Sequence, residues 1–274
     1  MLTINLTTTS SRLELCSSTI WSLLNQSVQP DVINLWISHD RYMADEGISN
    51  IPEFVGLMNN ISDIIRVHFV ENTGPYRKLI PALRSSQAED YIVYVDDDVV
   101  YGKDWLKTLL NCFLSHDKKY IVASRIRKVS YNVLGGKKSY SSYPVSHLEE
   151  LHKRNFIVTG VGGCILQKRM ICEDLIHDDA FISLAPKTDD LWFSKIYQLS
   201  GIYVISCPNA LKQVYEIQHS LSSLSLSNTL FFKNYGMFNH IYKIKNKIYS
   251  YFGLLKTNND LSYERICDYF KNRR

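Results

Sequence analysis

Three consecutive carboxylates, Asp96 to Asp98, end the hydrophobic run YIVYVDDDVV. Negative charges this close repel one another, so the cluster is costly unless a positive charge compensates it. Carboxylate oxygens suit Mg²⁺ or Mn²⁺, and the small number of protein ligands indicates that the phosphates of a substrate complete the metal's shell. The alternative is a solvated turn whose aspartates cap the following helix.

A second acidic pair, Asp189 and Asp190, stands directly before the helix pattern LWFSKIYQL. One carboxylate is enough to cap a helix N-terminus and to interact favourably with the helix dipole, and here there are two. A carboxylate is also a suitable acceptor for the proton of an attacking hydroxyl group. The residues alone leave both roles open.

Arg77 and Lys78 follow the Gly74-Pro75 turn at the predicted start of a helix. Backbone N–H groups and cationic side chains at such a place suit a phosphate or a uracil, and the alternative is a solvated helix face. Arg125 and Arg127 lie just after a predicted strand. They suit either the Asp cluster and a donor phosphate or ordinary surface ion pairs.

The glycine-rich segment TGVGGC contains Gly160, Gly162 and Gly163. Glycines allow the backbone to approach a ligand closely, which would let a donor sugar lie against the main chain. A bulged strand without a ligand explains the glycines equally well.

Apolar runs of strand length alternate with amphipathic helix patterns along most of the chain. The first four strands are predicted at LTINLTTTS, VINLWIS, IIRVHFV and YIVYVDDDVV. This alternation indicates βαβ crossovers and a mostly parallel sheet. Because ligands of such sheets lie at the carboxyl ends of the strands, we expect three polar strand ends to face one crevice: Thr7 to Ser11, His39-Asp40 and Asp96 to Asp98.

The composition limits the class of protein. The chain has 274 residues, of which 45% are hydrophobic and 21% charged, which excludes a disordered or fibrous protein. It has no apolar run of about 18 residues and no signal-peptide pattern, so a cytosolic protein is expected. Six cysteines without a C-x-x-C pair indicate reduced thiols rather than a disulfide framework or a structural zinc site.

The net charge of +4 is concentrated near the C-terminus, where residues 226–274 hold nine Lys or Arg against three Asp or Glu. This distribution argues against a nucleic-acid groove and for one local attachment surface. Residues 230–256 alternate aromatic and aliphatic residues with lysines. Such a helix can lie in a membrane interface with its lysines on anionic headgroups, and the alternative is a helix packed back over the body.

Three segments together resemble the inverting, family-2-like group of GT-A glycosyltransferases. YVDDDVVYGKDWL resembles the D-x-D strand end, and GPYRKLIPAL resembles the Gly/Lys helix start on the nucleotide side. TGVGGCIL followed by APKTDDLWF resembles the acceptor-side glycine loop and the acidic catalytic motif. The resemblance covers residues 3–220 and is greatest to bacterial enzymes that extend O-antigen or capsule units on a polyprenyl-pyrophosphate carrier.

This resemblance implies an α/β GT-A fold with a mostly parallel central sheet flanked by helices. Residues 1–225 would form the catalytic domain, and residues 226–274 a helical C-terminal extension. Asp98 would bind the metal directly, Asp96 would contact the ribose or the water shell of the metal, and Asp97 would approach the donor sugar. Further nucleotide-sugar contacts are implied for Thr7, Thr8, Thr9, Arg12, Asp40, Arg77, Lys78, Gly162 and Gly163.

On the acceptor side, Asp190 aligns with the catalytic base of the family and Asp189 with its acidic neighbour, although Asp189 remains an alternative base. His219 is at the place where some GT-A enzymes have an extra metal ligand, and a purely structural histidine is the alternative.

The predicted function is therefore Mn²⁺- or Mg²⁺-dependent transfer of a hexose from a UDP-sugar to a hydroxyl of a glycan on a polyprenyl-pyrophosphate carrier. The protein is expected in the cytoplasm, peripherally on the inner face of the cell membrane, and without a nucleic-acid partner. One alternative is a nucleotidyl or phosphoryl transferase, although the usual P-loop pattern is absent. The other is a non-catalytic sugar-nucleotide-binding partner of another transferase.

Overall fold

The computed structural model describes residues 1–218 and 239–273, with side chains omitted for 239–244. The described strands are β1 Leu2–Thr7, β2 Val32–Ile37, β3 Ile65–Phe69, β4 Tyr91–Tyr94, β5 Val99–Tyr101, β6 Ile121–Ala123, β7 Ile126–Lys128, β8 Leu151–His152, β9 Phe156–Val158, β10 Cys164–Gln167, β11 Val204–Ser206 and β12 Val214–Glu216. The described helices are α1 Leu13–Leu24, α2 Glu53–Asn59, α3 Ile80–Ser85, α4 Trp105–Ser115, α5 Glu173–Ile176, α6 Phe181–Leu184, α7 Asp189–Leu199, α8 Pro208–Leu211, α9 Asn239–Tyr251 and α10 Asn258–Lys271.

An eight-stranded sheet in the order β3-β2-β1-β4-β10-β6-β11-β8 forms the centre of the molecule. Strands β1 to β4 pair in parallel, and β11 is parallel to β6, whereas β10 and β8 are antiparallel to their neighbours. The predicted mostly parallel α/β sheet is confirmed. The parallel strands bring their carboxyl ends to the same edge, which is where such sheets bind ligands.

The central strands are mainly apolar and largely buried because helices cover the sheet. Ile4 and Leu6 of β1 and Ile92 and Val93 of β4 are all completely buried. Helix α1 turns its own buried side chains, which include Cys16, Ile20 and Leu23, toward this core. A sheet buried on both faces in this way fixes the positions of its strand ends.

The fourth predicted strand is shorter than the sequence pattern indicates. It ends at Tyr94, and the chain leaves the sheet through Asp96 to Asp98 before β5 pairs with β12 in a separate two-stranded ribbon. Burying a charged group is costly, and the strand stops with Val95 between its end and the carboxylates, of which Asp96 and Asp98 stay partly exposed. The predicted strand YIVASRI divides into β6 and β7, on either side of Ser124 and Arg125.

The described C-terminal helices pack against the body. In α9, the Ser250 hydroxyl hydrogen-bonds with the hydroxyls of Ser141 and Ser142. Helix α10 follows a capping box and places Phe270 against Trp192 of α7, with the ring centroids 5.2 Å apart. The expected boundary at residues 225 and 226 lies outside the described residues. Within residues 1–218 and 239–273, no helix is long and apolar enough to cross a membrane.

Candidate active site

A cavity of about 850 Å³ lies at the carboxyl ends of β1 and β4. It brings together most of the residues that the sequence singles out, although they are far apart in the chain. Its lining includes Thr7, Thr8, Thr9, Arg12, Arg77, Lys78, Asp96, Asp97, Asp98, Asp189 and Asp190.

The three consecutive aspartates have different surroundings. The side chains of Asp96 and Asp98 are 28% and 25% exposed, whereas that of Asp97 is 9% exposed. Asp97 accepts a hydrogen bond of 2.6 Å from the Thr8 hydroxyl and one of 2.5 Å from Arg12 Nη2. Burial raises the pKa of Asp97 to about 6, against the opposing effect of Arg12. Asp97 is therefore held by Thr8 and Arg12 within the cavity lining, and its expected approach to a donor sugar stays a prediction.

Arg12 joins two members of the aspartate triplet. Its Nη2 atom also lies 2.8 Å from Asp98 Oδ2, so one guanidinium contacts both Asp97 and Asp98. Arg12 stands immediately before α1. The loop after β1 lines the cavity, and Thr8 and Arg12 of this loop contact carboxylates. Its expected contact with a nucleotide stays a prediction.

Lys78 connects the two acidic clusters. Its Nζ atom lies 2.6 Å from Asp96 Oδ1 and 2.7 Å from Asp189 Oδ2, and its side chain is only 6% exposed. Burial acts to lower the pKa of Lys78, but Asp189 and Asp96 hold it well above its ordinary value. Lys78 is therefore a buried cation shared by the aspartate triplet and the acidic pair.

Arg77 forms a separate buried ion pair. Its Nη2 atom lies 2.9 Å from Asp45 Oδ2 and donates to the Thr8 carbonyl at 3.2 Å. Asp45 was not singled out by the sequence, because nothing in the polar stretch around it indicates burial. Asp40, the acidic residue expected to contact the nucleotide, is exposed and does not line the cavity. The nearby buried acid is thus Asp45, and its partner is the protein's own Arg77.

The acidic pair at the start of α7 is divided between two partners. Asp189 is paired with Lys78, whereas Asp190 Oδ1 accepts a hydrogen bond of 2.9 Å from the Gly160 backbone N–H. Burial and the neighbouring Asp189 raise the pKa of Asp190 to about 8. The partner of Asp190 thus belongs to another segment and not to its own helix, so its role extends beyond helix capping.

The three glycines of TGVGGC make room for protein groups. A Cβ at Gly160 would lie 2.5 Å from Lys78 Nζ, and one at Gly162 would lie 2.9 Å from the Arg125 backbone nitrogen. Gly163 has φ of +78°, and a Cβ there would overlap with the Trp105 ring. Neither Gly162 nor Gly163 lines the cavity, so the expected contact of these two with a donor sugar is not supported.

The opposite wall comes from segments that the sequence did not connect with the site. Tyr140 lines the cavity under the guanidinium of Arg127, which lies 5.4 Å from the centre of its ring. The Tyr140 N–H donates to Asp260 Oδ1 at 2.8 Å, and Asn259 also reaches the cavity. Helix α10 therefore forms part of the wall. No local sequence signal links it to the aspartates, because this contact spans 120 residues.

The cavity contains a donor set that fits a divalent metal. Asp96 and Asp98 are partly exposed to it and offer the hard carboxylate oxygens that Mg²⁺ and Mn²⁺ prefer. Arg125, which also lines the cavity, is paired with Glu216, with 2.9 Å between Nη1 and Oε1. His219, the expected additional ligand, lies outside the described residues.

The chain matches the model of a known protein family. The family model described as "Glycosyl transferase family 2" matches residues 12–176, which is more than half of the sequence. The matched segment includes Arg12, Lys78 and the aspartate triplet, and it ends before Asp189. A search of curated proteins found no match.

Proposed function

The chain belongs to glycosyl transferase family 2, and on that basis we propose that it is a metal-dependent, inverting enzyme that transfers a hexose from a UDP-sugar to a glycan hydroxyl. The observation that carries this proposal is the single cavity in which Asp96 and Asp98 lie near Asp190, with Lys78 between the clusters. Asp96 and Asp98 suit a divalent ion that would bind the diphosphate of a donor. Asp190 suits the proton of an acceptor hydroxyl.

On the donor side, Asp96 and Asp98 would hold Mn²⁺ or Mg²⁺. When bound, such an ion would neutralise the charge that develops on the leaving diphosphate. Arg12 contacts both Asp97 and Asp98, so it fixes the position of the Asp98 carboxylate. A ligand group fixed by its neighbours loses little freedom when a substrate binds, which favours catalysis.

On the acceptor side, Asp190 would act as the general base. The acceptor oxygen forms its bond to the anomeric carbon on the face opposite the diphosphate, the carbon–diphosphate bond breaks, and the hydroxyl proton passes to Asp190. The Gly160 N–H holds one carboxylate oxygen at 2.9 Å, which orients the base. Asp189 is engaged with Lys78, and this favours Asp190 over Asp189 as the proton acceptor.

We propose further that the acceptor is linked to a polyprenyl pyrophosphate and that residues 230–256 contact the membrane; residues 230–238 lie outside the described residues. Ser250 faces the body, whereas the apolar side chains of Ile248, Tyr249, Phe252 and Leu254 are exposed. Lys245, Lys247 and Lys256 are exposed beside them. Each lysine near an anionic surface contributes about 1 kcal/mol to attraction. This apolar and basic surface suits the headgroup region of an anionic membrane.

The donor site is tested by isothermal titration of the purified protein with UDP, with and without Mn²⁺. We expect binding that requires Mn²⁺ and disappears in Asp98→Ala. Asp174→Ala, at an exposed aspartate of α5, is the matched control and should bind as the wild type does. If UDP binds with equal affinity in the absence of metal, or if Asp98→Ala binds normally, the proposed donor site is wrong. Lack of UDP binding under both conditions would favour another nucleotide.

The membrane contact is tested by co-sedimentation with vesicles of phosphatidylcholine alone or mixed with phosphatidylglycerol. We expect binding to the mixed vesicles, and loss of this binding when Phe252 and Leu254 are both changed to Ser. Ile61→Ser removes a similarly exposed apolar side chain from the turn that follows α2 and serves as the control. Equal binding of the double variant would refute the proposed surface.

A further inference from the structure

A second group of metal-binding atoms lies outside the active-site cavity. The Cys112 thiol, the His116 ring and the Glu149 carboxylate each offer one ligand atom, and these atoms all lie within 4.8 Å of one another. His116 Nε2 is 3.1 Å from Glu149 Oε1. None of these three side chains lines the cavity that holds the aspartate clusters. The group therefore requires an explanation of its own.

The fold brings these side chains together from distant parts of the chain. Cys112 and His116 are four residues apart at the C-terminal end of α4, so they lie on the same side of that helix. Glu149 stands just before β8, and Cys207 follows β11, the strand that pairs with β8. The Cys207 backbone N–H donates to the Ala123 carbonyl of β6 at 2.9 Å, which fixes this strand end beside α4.

Cys207 lies next to this group without belonging to the three atoms within 4.8 Å of one another, and it would serve as a fourth ligand. Its thiol interacts with the Cys112 thiol, and Glu149 acts electrostatically on both. Both cysteines are buried and unpaired by any disulfide, whereas His116 and Glu149 are partly open to solvent. A shallow pocket of about 210 Å³ beside His116 and Glu149 gives an ion access from solvent.

We propose that Cys112, His116, Glu149 and Cys207 form a structural Zn²⁺ site. Two thiolates, an imidazole and a carboxylate are a four-ligand set of the kind that Zn²⁺ binds tetrahedrally. The soft sulfur ligands favour Zn²⁺ over the Mg²⁺ or Mn²⁺ that suits the aspartates. On binding, each thiol loses its proton to solvent. The ion would join α4, which follows the aspartate triplet, to the β8 and β11 edge of the sheet.

A second histidine–glutamate pair in the chain provides an internal comparison. His177 Nε2 lies 3.1 Å from Glu173 Oε1, which is the same separation as in the proposed site. Among the described residues, however, no cysteine completes this pair to a three-ligand group. The thiols therefore distinguish the proposed site from an ordinary surface ion pair.

The sequence pattern argued against structural zinc because the chain contains no C-x-x-C pair. The proposed ligands are distributed from residue 112 to residue 207, and only Cys112 and His116 are close in sequence. The structure supplies what the spacing does not, namely the pairing of β8 with β11 and the packing of α4 against β6, the other neighbour of β11, and against α8, which contains the residues just after Cys207.

The test uses the full chain, reduced and freed of metal with a chelator, and titrated with Co²⁺ as a spectroscopic substitute for Zn²⁺. We expect one equivalent of Co²⁺ to produce thiolate-to-metal charge-transfer absorption and the d–d bands of tetrahedral coordination. Added Zn²⁺ should abolish both signals and raise the melting temperature. These readouts do not depend on glycosyl transfer, so their failure leaves the proposed function untouched.

Variants assign the ligands. Cys112→Ser should abolish the charge-transfer band because it breaks up the group of three close ligand atoms, whereas Cys207→Ala keeps that group and should reduce the band to about half. His116→Gln, at a half-exposed helix end where folding is least at risk, should weaken Zn²⁺ binding by roughly tenfold or more. His177→Gln and Asp98→Ala should keep the band unchanged. No charge-transfer band in the wild type, a band that survives Cys112→Ser, or one that disappears in Asp98→Ala would each overturn the proposal.

Discussion

Replacing Lys78 with methionine tests the link between the two acidic clusters. Methionine has a similar length and no charge, so Lys78→Met removes the ammonium while filling much of the same space. The change leaves Asp96 and Asp189 without the cation that lies 2.6 Å and 2.7 Å from their oxygens. Asp96 is a proposed metal ligand and Asp189 adjoins the proposed base Asp190, so we expect glycosyl transfer to be lost as well.

Lys78→Met should also lower the stability of the protein, by an amount that depends on how deeply the two carboxylates are buried. Removing one partner of a buried ion pair costs about 3–5 kcal/mol, because the remaining charge is left uncompensated. Asp96 is 28% exposed and keeps access to water, whereas Asp189 is only 10% exposed. We therefore expect the lower end of the range, about 3 kcal/mol. For a chain of this size, that corresponds to a fall in melting temperature of about 6–12 °C.

The loss of stability in Lys78→Met should also depend on pH. Burial raises the pKa of Asp189, the more buried of the two carboxylates that contact Lys78. A protonated Asp189 does not need the cation, so this part of the contribution of Lys78 to stability is present where Asp189 is ionised and is lost as the pH falls through the pKa of Asp189. The difference in stability between wild type and variant should therefore be largest at high pH and should narrow as the pH falls.

Urea unfolding at several pH values, followed by tryptophan fluorescence, measures this difference. Lys107→Met on the exposed side of α4 is the matched control, and we expect it to change the free energy of unfolding by less than about 0.5 kcal/mol. A loss below about 1 kcal/mol for Lys78→Met, or a loss that does not vary with pH, would refute the shared buried ion pair.

Three further changes test other parts of the reasoning. Asp190→Asn should retain UDP binding and lower the transfer rate by about 10²-fold or more. In the wild type, kcat/KM should rise with pH to about 8, where Asp190 loses its proton, and this rise should be absent from any residual activity of the variant. Gly163→Ala should lower the free energy of unfolding by about 2 kcal/mol or more, measured in urea, because its φ is +78° and its Cβ would overlap with Trp105. Thr257→Ala should lower stability by about 1 kcal/mol, measured by thermal unfolding, because it removes the capping box with Asp260.

The sequence predicted the first half of the sheet well, for a physical reason. β1, β2 and β4 are mainly apolar runs that are largely buried, and such runs are recognisable without any knowledge of their neighbours. β8 has two residues and β12 has three, and each exists only because another strand lies beside it. Short elements of this kind have no periodicity of their own and were not predicted.

The candidate site was predictable where residue types are concentrated and unpredictable where a partner is distant. Three adjacent aspartates indicate a candidate site from the sequence alone. Nothing in the sequence predicts that the middle one, Asp97, is buried against Thr8 and Arg12. The position of Asp45 likewise depends on Arg77, 32 residues away. Tyr140 joins the wall through α10. In each case the decisive information is a long-range contact.

The different surroundings of the three aspartates explain how one chain segment can both stabilise the fold and offer carboxylates to a substrate or metal. The carboxylate of Asp97 is directed at the loop after β1, where Thr8 and Arg12 satisfy it, while Asp96 and Asp98 on either side remain open to the cavity. Arg12 then contacts Asp98 as well, and Lys78 holds Asp96. Each partly exposed carboxylate is therefore positioned by a buried or nearly buried cation before a substrate arrives. Such fixed charges need little reorganisation during reaction, which is the condition under which electrostatic stabilisation is most effective.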